Sequence, residues 1–374
     1  MSEEYLGDAV ERLEWDERKQ DETPYKRWRQ FTRRTALTGG AAGIAALALE
    51  ACGGSSSNSA AAGGSAASGI FGANQSLKFT FVNHVTTNTF FTPTQNGAAD
   101  ACKLLGCSYQ WTGSQTSNIS EMVNAFNTGV AGGANGIAVS LIDPSAFNGP
   151  TTKALAAGIP VVAYNADAAG NARLAYIGQD LFKSGQQMGQ HIAALVPSGD
   201  VGLFIATPGA LNLQPRIAGA QATLKSHPSI TPHVVATGAA QSQELTTIDS
   251  YVSGHPTYKG FFAVDGGSTA ATAQALQKHG LPAKGVKGGG YDLTPITEQL
   301  LAAGVIQFTI DQQPYLQGFF PILEMYMYNV TQKLTGMADV DTGLKFLDKT
   351  TIVPYNTTKS RYEGTSSGAG VTKA

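Results

Sequence analysis

Thr309-Ile310-Asp311-Gln312-Gln313-Pro314-Tyr315-Leu316-Gln317-Gly318 carries an apolar, β-prone run into three polar side chains and then into a helix. Val305, Ile306, Phe308 and Ile310 make the run, and Pro314 fits a first helical position because it has no N–H to lose there. In open α/β sheets, ligands sit outside the carboxyl ends of the strands, where strand gives way to helix. Asp311, Gln312 and Gln313 stand at such a point. The stretch therefore predicts a contact with a small polar ligand and a connection between two lobes. An ordinary strand–helix loop is the plain alternative.

Working outward, the same beat repeats. Phe79–Val82, Tyr109–Trp111, Gly136–Leu141 and Val161–Tyr164 are short β-prone runs, with helical patterns starting near Pro93, Asn118 and Pro144. Thr92 reads as the N-cap of the first helix, and Ser117 or Asn118 with Glu121 as that of the second. A second set of strands follows at Val201–Ile205, Val234–Ala236, Phe261–Val264, Lys287–Tyr291 and Ile306–Ile310. Its helices lie near Leu213–Lys225, Gln243–Val252, Thr269–His279 and Pro295–Ala302. Leu174–Ile177 and a helix over Leu181–Leu195 bridge the sets, and a last helix over Tyr315–Leu334 returns to the first half. Strand followed by helix at this spacing means βαβ units and parallel sheets. The fold class is α/β, with two doubly wound, Rossmann-like lobes.

Motif searches exclude several chemistries. Asn83-His84-Val85-Thr86-Thr87-Asn88 follows the first strand where a dinucleotide site needs Gly-x-Gly-x-x-Gly. Walker and His-Glu-x-x-His patterns are missing, and the six histidines are scattered, so each reads as a surface or satisfied core residue. No metal, cofactor or catalytic residue is assigned.

Polar and aromatic residues collect just past the strand ends: Asn88, Phe90 and Phe91, then Asn165 and Asp167, Arg216, Asp265, Asp292, and Asp311 with Gln312. Asp and Asn accept from hydroxyls, Arg and amide N–H donate to them, and an aromatic face packs on C–H patches. The set suits a sugar or polyol held between lobes. No nucleophile is paired with a base, so it does not suit catalysis. Asp292 also reads as a helix cap acting through Thr294, and Asp180 as a cap.

At these positions the chain resembles the ribose-type periplasmic sugar-binding proteins, the substrate-binding components of ABC importers. The resemblance is carried by Asn88-Thr89-Phe90-Phe91, Gly158–Asn165, Ile177-Gly178-Gln179-Asp180, Arg216-Ile217-Ala218-Gly219, Val264–Ser268, Gly290-Tyr291-Asp292 and Thr309–Gln312. It covers roughly residues 77–335 and implies a type I periplasmic binding protein fold, closing on its ligand about a three-segment hinge. It also implies ligand contacts from Asn88, Phe90, Phe91, Asn165, Arg216, Asp265, Asp292 and Gln312. Crossings are expected near Gln179–Asp180, Asp311–Gln313 and Met337–Asp341, with Asp180, Asp311 and Gln313 as hinge residues. The expected lobes are 77–179 plus 313–340 and 180–312 plus 341–356, with 357–374 a flexible tail. Asn165-Ala166 replaces the family's Asp-Arg pair, and Ala239-Ala240-Gln241 stands where an aromatic is usual.

Residues 1–51 read as an export signal behind a charged extension. Thr32-Arg33-Arg34-Thr35-Ala36-Leu37 is a twin-arginine pattern, and the apolar run ending at Leu49 is too short for a stable membrane span. Leu49-Glu50-Ala51-Cys52 resembles a bacterial lipobox with Cys52 as the lipidated residue, and residues 52–76 then form a Gly/Ser/Ala-rich linker. Cys102 and Cys107 flank a helix end with Gly106 as its cap, compatible with a local disulfide or with two small buried hydrophobes. The chain carries a net charge of −2 and has no basic stripe to neutralise phosphates, which argues against a nucleic-acid partner. The expected partners of this monomer are a sugar or polyol, an ABC permease and ATPase complex, and a membrane reached by lipid anchor. A ligand-binding sensor subunit, or a binder of another small polar solute, is the alternative with the same fold.

Overall fold

Lys78–Asn83 (β1) is buried at every position but its first residue, as expected for a strand covered on both faces of a parallel sheet. The computed structural model describes residues 76–358 and 361–362. The arginine pair, Cys52 and residues 53–75 of the linker lie outside the described residues. The first sheet continues with β2 (Ser108–Gly113), β3 (Gly136–Val139), β4 (Val161–Tyr164) and β5 (Ala175–Gly178). The second contains β6 (Gly199–Ile205), β7 (Ile230–Ala236), β8 (Gly260–Ala263), β9 (Lys287–Tyr291) and β10 (Phe308–Asp311). The edge pieces are β11 (Val340–Asp341) and β12 (Lys345–Leu347).

The two sheets repeat one topology. Their orders are β11-β5-β4-β3-β1-β2 and β12-β10-β9-β8-β6-β7. Apart from the edge pieces, each is a 2-1-3-4-5 doubly wound sheet, with its switch point between the first and third strands. Every pairing is parallel except that of β10 with β12. Alternate residues feed opposite faces: Phe79 and Phe81 join one apolar cluster, and Val82 the other. In the second sheet Phe204 and Phe261 face one way, with Leu203, Ile205 and Phe262 the other.

Helices α1 (Thr92–Leu105), α2 (Ile119–Ala131) and α3 (Asn148–Ala156) serve the first sheet. The second has α4 (Leu181–Leu195), α5 (Gln214–Leu224), α6 (Gln241–Gly254), α7 (Gly266–Lys278) and α8 (Pro295–Ala302); α9 (Pro314–Val330) returns to the first sheet, where Ile322, Met325 and Tyr326 join the cluster of Phe79 and Phe81, and α10 (Val353–Thr358) ends the described helices. Two glycine pairs bring helices into backbone contact. A Cβ on Gly97 of α1 would collide with the Tyr315 carbonyl of α9, and one on Gly318 with that of Thr94. Gly185 of α4 and Gly219 of α5 relate in the same way to the carbonyls of Arg216 and Phe182.

The chain passes between the sheets from β5 to β6, from β10 to β11, and from β11 to β12. Asp341, expected in the second lobe, pairs with Gly178 of β5, so the third passage runs through residues 342–344. Side chains lace the three passages together. Gln179 Nε2 donates to the Gly343 carbonyl (3.0 Å), and Gln313 Nε2 to that of Thr342 (2.6 Å). Thr342 Oγ1 donates to the Gln312 carbonyl at 2.8 Å.

Several local expectations are corrected. Thr92 does not cap the first helix. A 3-10 turn, Thr89–Phe91, precedes it, and Asn88 Oδ1 caps that turn by accepting from Phe90 N (2.9 Å). Asn118, rather than Ser117, caps α2. The helix expected near Pro144 begins at Asn148, because Asp143 Oδ1 accepts from Ser145 N and Ala146 N and holds a turn there. Cys102 and Cys107 are free thiols in hydrogen-bond contact rather than a disulfide; that bond, with burial, raises the Cys102 thiol, and the same bond lowers Cys107 against the opposing effect of burial. The expected flexible tail begins with ordered contacts. Arg361 pairs with Asp100 of α1 at 3.1 Å, and the Tyr362 ring meets Tyr315 of α9 edge-on. Residues 363–374 lie outside the described residues.

Candidate ligand-binding site

Asn88, Phe90, Phe91, Asn165, Arg216, Asp265, Asp292 and Gln312 line one cleft between the carboxyl edges of the two sheets. The doubly wound topology explains the gathering, since the loops after the first, third and fourth strands of each sheet open at its switch point.

On the first lobe the 3-10 turn presents Phe90 and Phe91, whose rings meet edge to face at 4.7 Å. Phe91 also packs on Trp111 and His84. Asn165, just past β4, holds a left-handed backbone (φ 65) that Asn tolerates well. Its Nδ2 donates to Gln312 Oε1 and Gln317 Oε1, each at 3.3 Å, and its Oδ1 has no partner.

On the second lobe Arg216, in the first turn of α5, is 2% exposed. Its guanidinium lies 4.1 Å over the Tyr291 ring, and Nη1 donates to the Val264 carbonyl at 2.8 Å. Nε and Nη2 are unpartnered. Burial pushes Asp292 up to about 7, although Arg216 and the Gln312 amide (2.6 Å) favour its charged form. Asp292 shares the left-handed backbone (φ 71), as does Gln313 (φ 55). Such conformations in non-glycine residues cluster at functional sites.

Some expected residues do other work. Asp265 caps α7, its Oδ1 accepting from Ser268 N (2.8 Å) and its Oδ2 from Ala206 N (3.2 Å), while its side chain still lines the cleft. Thr294, not Asp292, caps α8. Asp167 turns away to pair with Arg173. Asp180 caps α4 at the first passage, and Asp311 Oδ1 accepts from Gln313 N (2.7 Å) at the second.

Three cleft residues escaped the sequence reading: His84, Asn212 and Glu244. His84 is the next residue after β1, so the strand-end signal that singled out Asn88 was available. Asn212 Nδ2 donates to His84 Nε2 across the cleft (3.2 Å), leaving Nδ1–H to donate to Ser140 Oγ (3.1 Å). Burial lowers His84 to about 4, so the ring is neutral near pH 7. Leu211 N donates to the Ile142 carbonyl (3.0 Å), a further bond between the lobes. The structure is thus a closed arrangement.

The model of a periplasmic binding protein domain matches residues 79–331. The chain belongs to the periplasmic binding protein family. The xylose/arabinose-binding protein XylF of Sulfolobus acidocaldarius is 51% identical over 304 residues, covering 77% of this chain and 75% of that protein. The structure is similar to an ABC transporter solute-binding protein from Burkholderia graminis solved with D-arabinose, at a TM-score of 0.70 and 25% identity, covering 74% of this chain and 96% of that one. A glucose-galactose binding protein, GanP, of Geobacillus stearothermophilus shares the fold at a TM-score of 0.67 and 22% identity, covering 74% and 99%. As a periplasmic binding protein the chain is a solute-binding component of ABC transport and not an enzyme. Among the described residues no helix is long and apolar enough to cross a membrane, and no His/Cys/Asp/Glu group is arranged to hold a metal ion.

Proposed function

We propose that this protein captures an uncharged monosaccharide, a pentose of the xylose or arabinose kind, and hands it to an ABC permease. One observation carries the reading. Arg216 Nε and Nη2, Asn165 Oδ1 and Asn212 Oδ1 are buried without hydrogen-bond partners on residues that line a single cleft with Phe90 and Phe91. Unpaired buried donors and acceptors are costly, and sugar hydroxyls, each both donor and acceptor, meet both kinds at once. XylF, named for pentoses, supports the choice among sugars.

Asn88, Phe90, Phe91, Asn165, Arg216, Asp265, Asp292 and Gln312 supply the contacts in this reading. The lobes rotate about the three passages, with Asp180, Asp311 and Gln313 at their ends, and ligand favours the closed form by its differential affinity. The twin-arginine pattern directs export, and lipidated Cys52 with its linker tethers a monomeric domain at the outer face of the membrane. A thermal-shift screen of the purified protein against pentoses, hexoses, inositols and amino acids tests the ligand class. Stabilisation by pentoses is expected, and stabilisation by amino acids alone would overturn it.

A further inference from the structure

Glu244 lies in the first turn of α6, on the buried stripe it shares with Ile248 and Val252, and is 4% exposed. It lines the cleft beside Ala239. Ser268 Oγ lies 3.3 Å from Oε1, and the carboxyl is also hydrogen-bonded to Asp265. A Cβ on Gly267 would collide with Oε2, so the glycine makes room for this pairing.

A buried carboxyl in contact with a second, partly buried one holds a proton between them. Backbone N–H groups already donate to both oxygens of Asp265, so the shared proton sits on Glu244. Burial, then the negative charge of Asp265, raises Glu244 to about 9. The other charged groups on this cleft are Arg216 from α5 and Asp292 from the end of β9.

We propose that Glu244, paired with Asp265, is a specificity-determining residue that accepts a hydroxyl of an uncharged sugar and turns away sugar acids. With its own O–H committed to Asp265, Glu244 offers the ligand only acceptor oxygen. A hydroxyl can donate to it, whereas a carboxylate cannot and would also meet the charge on Asp265. The proposal rests on the sugar-binding reading above and deepens it.

Calorimetric titration of the purified protein with D-xylose, L-arabinose and xylonate at pH 8 and pH 10 tests it, alongside Glu244→Gln and Glu244→Ala. The unaltered protein should bind a pentose and not xylonate, and lose about tenfold in pentose affinity between the two pH values, because an ionised Glu244 loses its bond to Asp265 and is pushed out of position by the like charge. Glu244→Gln, which mimics the protonated acid, should match it at pH 8 and hold that affinity at pH 10. Glu244→Ala should weaken binding about tenfold at pH 8. A Gln variant as weak as the Ala variant at pH 8, an unaltered protein indifferent to this pH change, or xylonate bound as tightly as xylose overturns the proposal. Failure of the unaltered protein to bind any neutral sugar at pH 8 is a different result: it removes the sugar-binding reading itself, and the role of Glu244 with it.

Discussion

On the first-lobe wall of the cleft stand Phe90, Phe91, a neutral His84, Asn88 and Asn165, while the second-lobe wall holds Arg216, Asp265, Asp292 and Glu244. Both walls hang from the same 2-1-3-4-5 sheet, so topology does not account for the contrast. Side-chain choice does. Rings and amides give a surface that packs on C–H faces and meets the opposite lobe without desolvating a charge, whereas buried charged groups give directional bonds at a high desolvation cost. The first wall is suited to closing on a ligand and the second to choosing it.

Substitutions on each side can break this division. The largest effect is expected from Arg216→Ala, which removes the cation offsetting Asp292 and two free donors. Breaking a buried charge network costs about 3–5 kcal/mol, so titration calorimetry should find sugar binding lost and a urea melt should find the fold weakened. Asp292→Asn comes next and has two opposed consequences. With Asp292 raised to about 7 in the folded state, that state holds a proton which the unfolded chain releases near its ordinary value of 3.8. Stability contributed at this residue therefore falls as pH rises from about 4 through about 7. The Asn variant should lack this loss and be more stable than the unaltered protein at pH 8, by up to a few kcal/mol in urea midpoints. Its sugar affinity should drop by about 2 kcal/mol, for want of the charge-assisted bond. The smallest effect should come from Phe90→Leu, about 1 kcal/mol of binding with little change in pH dependence. A Phe90→Leu loss equal to that of Arg216→Ala would erase the distinction between the walls.

Parallel strands buried on both faces leave near-continuous apolar runs, which is why β4 could be bounded from the residues alone, as Thr294 and Pro295 bounded the start of α8. Strand-end chemistry was legible for a related reason, because a polar residue directly after such a run can point only to the sheet edge. Glu244 lacked that anchor. A Glu about two turns from Val252 in a polar helix looks solvated until the packing shows that the Glu244–Ile248–Val252 stripe faces inward. Asn212 was harder still, since its partner His84 is 128 residues away and meets it only when the lobes close. The first helix cap was misplaced because Thr92 and Asn88 are both good caps, and a 3-10 turn between them selects the earlier one.

The glycine crossings have a consequence for measurement. Gly97 and Gly318 press α1 against α9, and Gly185 and Gly219 press α4 against α5. Each pair bolts the helix leaving a passage to the helix behind a cleft wall, so rotation of a lobe carries undiminished to its outer surface. Exposed Leu104 on α1 and Val234 on β7 are such outer points, one on each body. Fluorophores placed there would turn the molecule into an optical ruler, with energy transfer tracking sugar concentration and neither dye touching the cleft.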